Sequence, residues 1–556
     1  MSLEEIARKY ALRNAVQHGG ECNPGAVIGK IFAEEEFDDK GEVTSTAQEV
    51  CQEVNQLSLE EQEEELEQYE FDIPEKKEHD PVPDLTNAEE MDEVVVRFAP
   101  NPNGPPHLGH ARGMTVNGEL RDKYDGKLIL RYDDTDPVTK RPMEEAYEMY
   151  LEDYKWLGYE PDEVRYSSKN FDTYIEYAEK LIDMGKAYVC FCSQEEGQKY
   201  RKEGEACPHR EQVPSKAMKN WEEMKNGSIE EGEAVLKIKT DMDHKNPAVR
   251  DFVAFRIIDN ANHPITENKY RVWPMLDFQG AIEDHVMGTT HIVRGKDLRA
   301  STKRQKYIYD YLDWDYPYIQ YWGTVEVSGF TAPMSTSSIA EMVEDGELEG
   351  WNDPRCGTLR ALKRRGFQPE AIQKFFVDMG VTENNIEASI ESLEKENTRV
   401  IDEDADRYFF VEEPVAITVE DAPEDLEAKI PIHPDVDRGY RSPDVNLEEG
   451  EFTVYVDRKD INDGKLRLKG LCTIEFEDEQ TAVYVEEDYK EALDQDISFV
   501  QWTPEESETS IVWMPDGRKA EGRIEPNEIT LDEIVQFERF GFVRKEEENL
   551  FIYGHQ

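Results

Sequence analysis

Short runs of apolar, β-branched residues punctuate the middle of the chain. Glu93–Phe98 (EVVVRF) and Lys127–Tyr132 (KLILRY) are rich in such residues. Continuous runs of this length predict strands buried on both faces, as in a parallel sheet. The segment between them opens with prolines and asparagines, which end a strand, and becomes helical in character from His107. The pattern predicts the strand–turn–helix junction at which doubly wound α/β folds bind nucleotides.

The two ends of the chain show other patterns. Near the amino terminus apolar residues recur at helical spacing, and the run Leu59–Glu70 has seven Glu in twelve residues, which is typical of a solvated helix face. From residue 401 onward, segments such as EFTVYVDRK (451–459) alternate apolar and polar positions between Gly, Asp and Pro turns. That alternation predicts an all-β region.

The net charge is the most unusual bulk property. The chain carries 124 Asp and Glu against 64 Lys and Arg, a formal net charge of −60. Disorder does not explain the excess, because acids also decorate periodic, aromatic-containing segments. Cytosol at molar salt explains it, since the Debye length falls to roughly 3 Å and self-repulsion is screened. We therefore predict a halophilic protein, in which nucleic-acid binding needs local basic clusters.

Other totals narrow the class of protein. No stretch approaches the length of a membrane span, and the amino terminus lacks the apolar core of a signal peptide. Seven cysteines in 556 residues do not indicate a disulfide framework. We expect a soluble, cytoplasmic, monomeric protein with several domains and no membrane partner.

The turn after the first predicted strand carries the most informative motif, RFAPNPNGPPHLGHARG (97–113). A helix start offers free N–H groups and a positive dipole end, both of which favour phosphate. His107 and His110 would lie on one side of the first helical turn, where both imidazoles can donate to phosphate oxygens. Gly109 leaves room for a base or ribose. Two surface histidines on a proline-rich loop are the alternative, but strand, turns and glycine together favour a nucleotide site.

The stretch PNPNGPPHLGH (100–110) resembles the His-Ile-Gly-His motif of class I aminoacyl-tRNA synthetases, specifically the glutamyl and glutaminyl group. The all-β carboxy-terminal region is similar to the β-barrel anticodon domains of archaeal and eukaryotic glutamyl enzymes and of glutaminyl ones, whereas bacterial glutamyl enzymes carry helices there. The resemblance is thus to the archaeal type, which agrees with a haloarchaeal origin. The group also carries an Arg-Phe-x-Pro-x-Pro-x-Gly lead-in, matched here by Arg97, Phe98, Pro100, Pro102 and Gly104.

The resemblance implies an α/β fold with a Rossmann-like class I catalytic domain, an insertion, a helical connecting region and β-barrel anticodon-binding domains. It runs from about Val94 to the carboxy terminus. The implied segments are an amino-terminal helical appendage and linker (1–93), the first catalytic half (94–166), an insertion that binds the tRNA acceptor end (167–268), the second catalytic half (269–330), a flexible loop with the helical connecting domain (331–400) and the anticodon-binding region (401–556).

The implied activity is that of a glutamate–tRNA ligase. The α-carboxylate of glutamate attacks the α-phosphorus of ATP, which releases pyrophosphate and leaves glutamyl-adenylate. A hydroxyl of the terminal ribose of tRNA(Glu) then attacks the mixed anhydride. Such chemistry needs mainly positioning and charge stabilisation. Mg²⁺ would arrive with ATP, held mostly by phosphates and water, and whether tRNA(Gln) is also charged stays open.

The resemblance also implies how glutamate is held. Asp133, at the end of the second strand, matches the position that pairs with the ammonium, although this acid, Asp134 or Asp136 could instead cap the next helix. Arg97 and Arg294 match positions that hold carboxylates, and the guanidinium fork is suited to binding a carboxylate through two hydrogen bonds. The implied glutamate-binding residues are Arg97, Asn101, Asp133 and Arg294.

For ATP the resemblance implies contacts along the motif and in two later loops, with His107 and His110 as the catalytic pair that stabilises charge on the phosphates. The implied ATP-binding residues are Pro100, Asn101, Pro102, Asn103, Gly104, Pro105, Pro106, His107, Leu108, Gly109, His110, Asp297, Met334 and Ser335.

Two positions depart from the pattern of the group. Leu276 stands where many relatives have Tyr, so an aromatic or hydroxyl contact to the amino acid is expected to be missing. In APMSTSS, Met334 and Ser335 fit the Lys-Met-Ser-Lys-Ser-like loop, but Thr336 falls where a lysine usually meets the ATP phosphates. A hydroxyl supplies no cation, so either Lys303 or another base substitutes, or Mg²⁺ and the histidines suffice.

Two further clusters suggest binding. In the insertion, Cys190-x-Cys192 and Cys207-x-His209 form a Cys₃His set that suits one structural Zn²⁺; reduced cysteines at strand ends are the alternative, and some glutamyl relatives carry a comparable zinc knot. In TLRALKRRG a short basic helix of a very acidic chain favours contact with tRNA phosphates over a merely solvated face. Its basic residues are Arg360, Lys363, Arg364 and Arg365.

Four alternatives differ in what they require. A glutaminyl-tRNA synthetase shares the motifs, but its uncharged substrate would leave Arg294 unpaired. A nucleotidylyltransferase of the same superfamily would lack the long tRNA-domain resemblance. A catalytically impaired tRNA-binding paralogue is suggested by Thr336. The retained site residues argue against it, namely His107, His110, Asp133 and Arg294. A truncated tRNA-modifying relative would lack the β-rich carboxy-terminal region.

Overall fold

The computed structural model describes residues 3–17, 22–34, 40–66, 69, 82–461, 464–486 and 488–556. The chain forms two compact units, residues 1–80 and 81–556. Most of the linker predicted within residues 1–93 lies outside the described residues. Within the described residues, every helix is too short or too polar to span a bilayer.

The first unit is a small helical bundle. Ile6, Leu12 and Ile31 are among the apolar side chains that form its buried core. A disulfide joins Cys22 to Cys51 across 5.5 Å between Cα atoms, so this unit holds one pair although the cysteine count indicated no disulfide framework. Its helices are α1 (Leu3–Gln17), α2 (Pro24–Glu34), α3 (Lys40–Val54) and α4 (Leu59–Leu66).

The second unit begins with three parallel strands in the order β1–β2–β3, which confirms the predicted strand–turn–helix junction. Glycines let the first helix lie close to its neighbours. A Cβ on Gly113 would come within 2.6 Å of the Phe98 ring, and one on Gly118 within 2.2 Å of Tyr159. The elements are β1 (Val95–Phe98), α5 (Leu108–Tyr124), β2 (Lys127–Tyr132), α6 (Glu144–Trp156) and β3 (Glu163–Tyr166).

An insertion follows, built on an antiparallel sheet in the order β4–β5–β6–β7. Its strands pack on helices through buried aromatic residues, among them Trp221, Phe255 and Trp273. Its elements are α7 (Phe171–Asp183), β4 (Ala187–Cys190), α8 (Gln194–Glu203), α9 (Pro214–Asn226), β5 (Val235–Ile238), β6 (Val253–Ile257) and β7 (Val272–Pro274).

The chain then returns to the first sheet. The next strand lies beside β1, where the Thr290 amide donates to the Val95 carbonyl at 3.0 Å, and pairs in parallel with the strand after it. This return places the second half of the Rossmann-like domain beside β1 of the first half. The elements are α10 (Leu276–Val286), β8 (His291–Gly295), α11 (Arg299–Leu312) and β9 (Tyr318–Trp322).

A largely helical region connects this domain to the carboxy-terminal sheets. It packs back on the motif: the Leu108 amide donates to the Gly357 carbonyl at 2.9 Å, and the Leu359 amide to the Pro106 carbonyl at 3.0 Å. Its elements are β10 (Val325–Ser328), α12 (Thr336–Glu344), α13 (Leu359–Arg364), α14 (Pro369–Met379), β11 (Ile386–Ser389) and α15 (Ile390–Ile401).

Two seven-stranded, barrel-like sheets complete the chain, which confirms the predicted all-β region. One has the order β12–β25–β26–β27–β23–β24–β13 and the other β21–β18–β19–β20–β14–β17–β22; β15 and β16 form a separate pair. The elements are β12 (Arg407–Tyr408), β13 (Phe410–Val411), β14 (Pro414–Glu420), β15 (Ile430–Pro431), β16 (Tyr440–Arg441), β17 (Phe452–Asp457), β18 (Lys465–Leu468), β19 (Thr473–Phe476), β20 (Thr481–Glu486), α16 (Tyr489–Asp494), β21 (Ser498–Val500), β22 (Trp502–Pro504), β23 (Glu508–Trp513), β24 (Lys519–Ile524), β25 (Ile534–Phe537), β26 (Gly541–Glu547) and β27 (Leu550–His555).

Candidate active site

A cavity of about 480 Å³ opens at the carboxyl ends of β1, β2 and β8. Its wall combines the end of β1 (Phe98), the turn after it (Asn101) and the end of β8 (Arg294) with residues of α10 and α11. Ligands of open α/β sheets bind at this kind of edge, where strands end and connections diverge. The cavity is therefore the candidate active site.

The two motif histidines start helix α5 together. His107 is the N-cap, and its Nδ1 accepts from the Gly109 amide at 3.0 Å. His110 Nδ1 accepts from the His107 amide at 3.2 Å. The ring centroids are 3.9 Å apart, which places both imidazoles on one side of the first turn, as predicted. Because both Nδ1 atoms accept, the proton of each neutral ring resides on Nε2, which is free to donate.

Both rings are neutral at neutral pH. Burial lowers the pKa of His107 to about 4. Burial lowers the pKa of His110 well below its usual value, and the nearby His107 ring and the charge of Lys140 contribute smaller effects in the same direction. The pair can therefore donate hydrogen bonds to phosphate oxygens, but it contributes no positive charge.

Two glycines of the motif serve close packing. A Cβ on Gly109 would lie 2.8 Å from His107 Cε1, so this glycine makes room for the histidine ring itself. A Cβ on Gly104 would lie 2.3 Å from the Thr336 Cγ2 atom and 3.0 Å from the Trp351 ring. The turn thus lies directly against Thr336, the residue that the sequence analysis expects in place of the lysine of the group.

A shared carboxylate organises the floor of the cavity. Asp284 Oδ1 accepts from Arg97 Nε at 3.1 Å and from Arg131 Nη1 at 2.7 Å. All three side chains are almost fully buried. Burial alone would raise the pKa of Asp284, but Arg97 and Arg131 outweigh it and the pKa is lowered. The Nη groups of Arg97 make no hydrogen bond within the described chain, so its end-on fork remains available to a ligand.

Asp133 is held by the same network. Its Oδ1 accepts from Arg131 Nε at 2.7 Å and from Gln279 Nε2 at 2.9 Å. It does not cap α6, whose N-cap is Met143. Asp133 still lines the cavity. Beside it, Asn101 donates to the Asp133 carbonyl at 2.9 Å, while the Asn101 Oδ1 atom is buried without a partner among the described residues.

The neighbouring acids have other duties. The buried Asp134 carboxylate accepts from the amide and hydroxyl of Ser168, both at 2.7 Å. Burial raises the pKa of Asp134 to about 6. Asp136 accepts from the Val138 and Thr139 amides and so stabilises a turn.

Arg294 is buried among neutral groups. Its Nη1 donates to Gln305 Oε1 at 3.1 Å, and its Nη2 donates to Tyr316 at 3.2 Å and also to Thr302. Its Nε–H is buried and has no partner among the described residues. The charge of Arg294 is therefore not neutralised by a directly paired carboxylate within the described chain.

Of the other positions that the sequence singled out, some line the cavity and some do not. Leu276 lines it with a half-exposed side chain. Asp297 is exposed just after β8 and does not line the cavity. Ser335 caps α12, with its hydroxyl accepting from Ser338, and Met334 packs against Gly357. Lys303 is exposed on α11 and also does not line the cavity.

The charge of the cavity is opposite in sign to that of the chain. Five basic residues line it against four acidic ones, in a protein of net charge −60. The basic residues are Arg97, Arg131, Lys140, Arg256 and Arg294, and the acidic ones are Asp133, Asp136, Asp277 and Asp284.

Four residues that line the cavity were not predicted from the sequence, namely Arg131, Lys140, Asp284 and Gln305. Arg131 had a visible signal, since a charged residue within an otherwise apolar, buried strand requires a partner. The partner itself, Asp284, lies 153 residues further on and no local pattern connects the two.

The four residues of the insertion do come together. Ligand atoms of Cys190, Cys192, Cys207 and His209 all lie within 4.8 Å of one another. The Cys190 and Cys207 Sγ atoms are 3.7 Å apart, and Cys192 Sγ is 3.5 Å from His209 Nδ1.

The basic helix differs from its prediction. Arg365 is buried, 4 % exposed, and pairs with Glu394 at 3.5 Å, so it cannot offer a surface contact to tRNA and that part of the prediction is wrong. Arg364 Nε donates to Glu546 at 2.8 Å, which ties α13 to β26. Arg364 and Arg365 are thus bonded to other parts of the protein, although the sequence predicted that they contact tRNA.

The rest of the helix borders a cleft. Arg360 pairs with Glu152, and its Nε lies 3.4 Å from the Asp153 carboxylate. Lys363 lies over the Trp156 ring at 5.7 Å. Arg360, Lys363 and Arg364 line a cleft of about 790 Å³, and Arg544 lines it as well.

The chain matches two family models. The model of the catalytic domain of class I tRNA synthetases (E and Q) matches residues 93–403, and the model of their anti-codon binding domain matches residues 405–490.

Curated relatives align over nearly their whole length. A glutamate–tRNA ligase of Archaeoglobus fulgidus is 46% identical over 564 residues, and one of Pyrococcus furiosus is 43% identical over 580 residues, with all of both chains covered. One of Methanosarcina mazei is 44% identical and covers 97% of this chain and 96% of its own. A solved glutamate tRNA ligase of Elizabethkingia meningosepticum covers 56% of this chain and 70% of its own at 22% identity and a TM-score of 0.39, too remote for a residue-level comparison.

The low pKa of the motif histidines can be measured directly. We expect the His107 ring of the free protein to titrate near pH 4 rather than near 6.5, because burial disfavours the imidazolium. NMR of protein labelled at histidine, with the signal assigned by His107→Gln, reports the midpoint. A His107 midpoint at or above 6.5 contradicts the neutral pair.

Proposed function

The chain belongs to the class I tRNA synthetases of the E and Q group, and from that premise we propose how its residues divide the work. Its activity is that of a glutamate–tRNA ligase. It activates glutamate with ATP to glutamyl-adenylate and transfers the glutamyl group to the 3′ end of tRNA(Glu). The excess of basic over acidic residues in the cavity is the single structural observation that most favours glutamate as the substrate.

The cavity separates glutamate from glutamine by charge. The two amino acids have nearly the same shape, so a pocket of the right size cannot distinguish them sterically. Arg294 is surrounded by neutral partners and keeps an unpaired Nε–H. A γ-carboxylate would compensate that charge, whereas the amide of glutamine would leave it buried and unpaired. We therefore assign the side-chain carboxylate to Arg294, which weighs against the glutaminyl alternative.

The α-carboxylate is assigned to Arg97. Asp284 fixes the Nε side of this guanidinium and leaves its end-on fork directed at the ligand. A bidentate contact at that fork suits a carboxylate. The ammonium is assigned to Asp133 together with the unpaired Oδ1 of Asn101. Arg131 orients Asp133 rather than competing for the substrate.

The motif turn is assigned to the phosphates of ATP. His107 and His110 donate through Nε2–H, and the start of α5 adds its free amides. Mg²⁺ that arrives with ATP would neutralise part of the triphosphate charge. In the first step the glutamate α-carboxylate attacks the α-phosphorus while these donors stabilise the charge that develops on the phosphate oxygens.

The tRNA is assigned to two regions. The carboxy-terminal sheets carry the anticodon-binding match. The cleft beside α13 offers Lys363 to the phosphate backbone. Arg360 and Arg364 would have to exchange Glu152 and Glu546 for phosphate, and Arg365 is withdrawn because it is buried. Whether tRNA(Gln) is a second substrate depends on contacts to the nucleotides. We also retain the expectations of a monomer in the cytoplasm.

The Cys₃His cluster fits one structural Zn²⁺. Tetrahedral zinc with ordinary bond lengths holds two sulfur atoms about 3.8 Å apart, and a sulfur and a nitrogen about 3.6 Å apart. The observed separations are 3.7 Å and 3.5 Å. Such an ion would stabilise the insertion and take no part in the chemistry.

The glutamate assignment is tested by Arg294→Ala. Truncating one partner of a buried charge pair costs about 2–5 kcal/mol, so glutamate activation should fall by orders of magnitude. The preference for glutamate over glutamine should fall towards unity, because the group that rejects the amide is gone. Pyrophosphate exchange with saturating tRNA(Glu), run at molar KCl with each amino acid, measures both effects.

Two matched variants complete this test. Arg294→Lys keeps the charge and should retain most of the preference while losing activity. Arg97→Ala should weaken both amino acids alike, because both carry an α-carboxylate. If Arg294→Ala kept its preference and Arg97→Ala lost it, the two assignments would have to be exchanged.

The zinc assignment is tested by metal analysis. Protein purified without chelators should contain one equivalent of zinc, and Cys207→Ser should lose it together with the order of the insertion. Cys356→Ser is the matched control, since Cys356 is also a buried free thiol but lies outside the cluster. Absence of zinc from the wild-type protein would show that the four residues do not bind the ion.

A further inference from the structure

We propose that Lys140 supplies the protein's positively charged contact to the ATP phosphates, from a segment bound to the motif turn. The inference rests on the proposed function and adds a residue to it. It begins from a deficit of charge, because the triphosphate is strongly anionic while both motif histidines are neutral. A protein of net charge −60 needs a local cation at that position.

The loop that carries Thr336 cannot supply this cation. Between Lys306 and Arg355 the sequence contains no lysine or arginine. Thr336 itself packs against Gly104 through a methyl group. The missing cation must therefore come from another part of the fold.

The segment 133–143 runs along the motif turn and is anchored at both ends. The Asp133 amide donates to the Pro100 carbonyl, and the Met143 amide to the Pro102 carbonyl, each at 2.8 Å. Lys140 lies between these anchors. Its position on the backbone is thereby fixed beside the turn that starts α5.

Neighbouring contacts restrain the segment further. Asp136 Oδ1 accepts from the Thr139 amide at 3.0 Å and from Arg256 Nη2 at 2.8 Å. Arg141 Nη2 donates to the Asn262 carbonyl at 3.1 Å. The residues on both sides of Lys140 are therefore tied to the insertion, while its own side chain lines the cavity.

Lys140 is the basic residue of the cavity wall that remains uncommitted. It is exposed and makes no hydrogen bond or ion pair with any residue that the structure describes. Its charge reaches the His110 ring and contributes to the low pKa of that group. A lysine that destabilises a nearby imidazolium in the free protein is correctly placed to attract a phosphate beside the same ring.

The other basic residues of the cavity wall are already engaged. Arg97 and Arg131 share Asp284, Arg256 pairs with Asp136, and Arg294 is bonded to α11. Outside the wall, Lys296 donates to the Glu383 carbonyl at 2.9 Å. Lys303, which the sequence suggested as a substitute, projects from α11 without lining the cavity.

The test compares Lys140→Ala, Lys140→Arg and Lys303→Ala in glutamate-dependent pyrophosphate exchange with saturating tRNA(Glu) and Mg²⁺. The KM values for ATP, glutamate and tRNA are measured separately. Removing one charge-assisted contact to phosphate should raise the KM for ATP about 10- to 100-fold in Lys140→Ala. The KM values for glutamate and tRNA should change little. Lys140→Arg should recover most of the loss.

Several outcomes would overturn the inference. An unchanged KM for ATP in Lys140→Ala would do so, as would a rise confined to the KM for tRNA, which would make Lys140 a contact of the tRNA end. A rise in the KM for ATP in Lys303→Ala but not in Lys140→Ala would transfer the role to α11. If the wild-type protein showed no glutamate-dependent exchange, the proposed function itself would be contradicted. Failure of the proposed function is therefore distinguishable from failure of the Lys140 inference.

Discussion

The carboxylate of Asp284 is the constraint on which the active site depends. It accepts from Arg97 on β1 and from Arg131 on β2, and all three groups are withdrawn from water. Without this anion the buried Arg97 would lose its carboxylate partner and the buried Arg131 would keep only Asp133, at a cost of several kcal/mol. With it, the Nε–H of Arg97 is bonded while its Nη groups stay open to a ligand. Arg131 bonds Asp284 through Nη1 and Asp133 through Nε. One helix residue thus positions the proposed contacts to both the carboxylate and the ammonium of the amino acid.

The cavity and the rest of the chain follow opposite electrostatic rules. The chain as a whole is strongly acidic, whereas basic residues outnumber acidic ones by one in the lining of the cavity. Long-range attraction of anionic substrates is therefore weak, and more so if the protein works at high salt, where exposed charges are screened over a few ångströms. Short-range, desolvated contacts are screened much less. On this account, recognition of glutamate, ATP and tRNA relies on buried arginines, on Nε2–H donors and on local cations such as the proposed Lys140.

Residues close in sequence were predictable, and distant pairs were not. The strand, turn and helix around His107 were predicted from apolar runs and prolines. The motif at the start of that helix also indicated the family to which the chain belongs. The geometry of Cys190 to His209 likewise followed from spacing. The partner of Arg131 did not, because Asp284 lies on a helix beyond the insertion. The basic helix misled for a related reason: sequence shows the charge of Arg365, but only the fold shows that this residue is buried against the carboxy-terminal strands.

The central claim is that the cavity recognises the charge of its amino acid, and calorimetric titration of the wild-type protein tests it most directly. Glutamate and glutamine are each titrated into the protein in the presence of tRNA(Glu), at molar KCl to match the predicted environment. An amide in place of the carboxylate leaves one buried charge without its partner, so glutamine should bind weaker by about 2 kcal/mol or more, roughly 30-fold in Kd. Equal Kd values for the two amino acids would contradict the account.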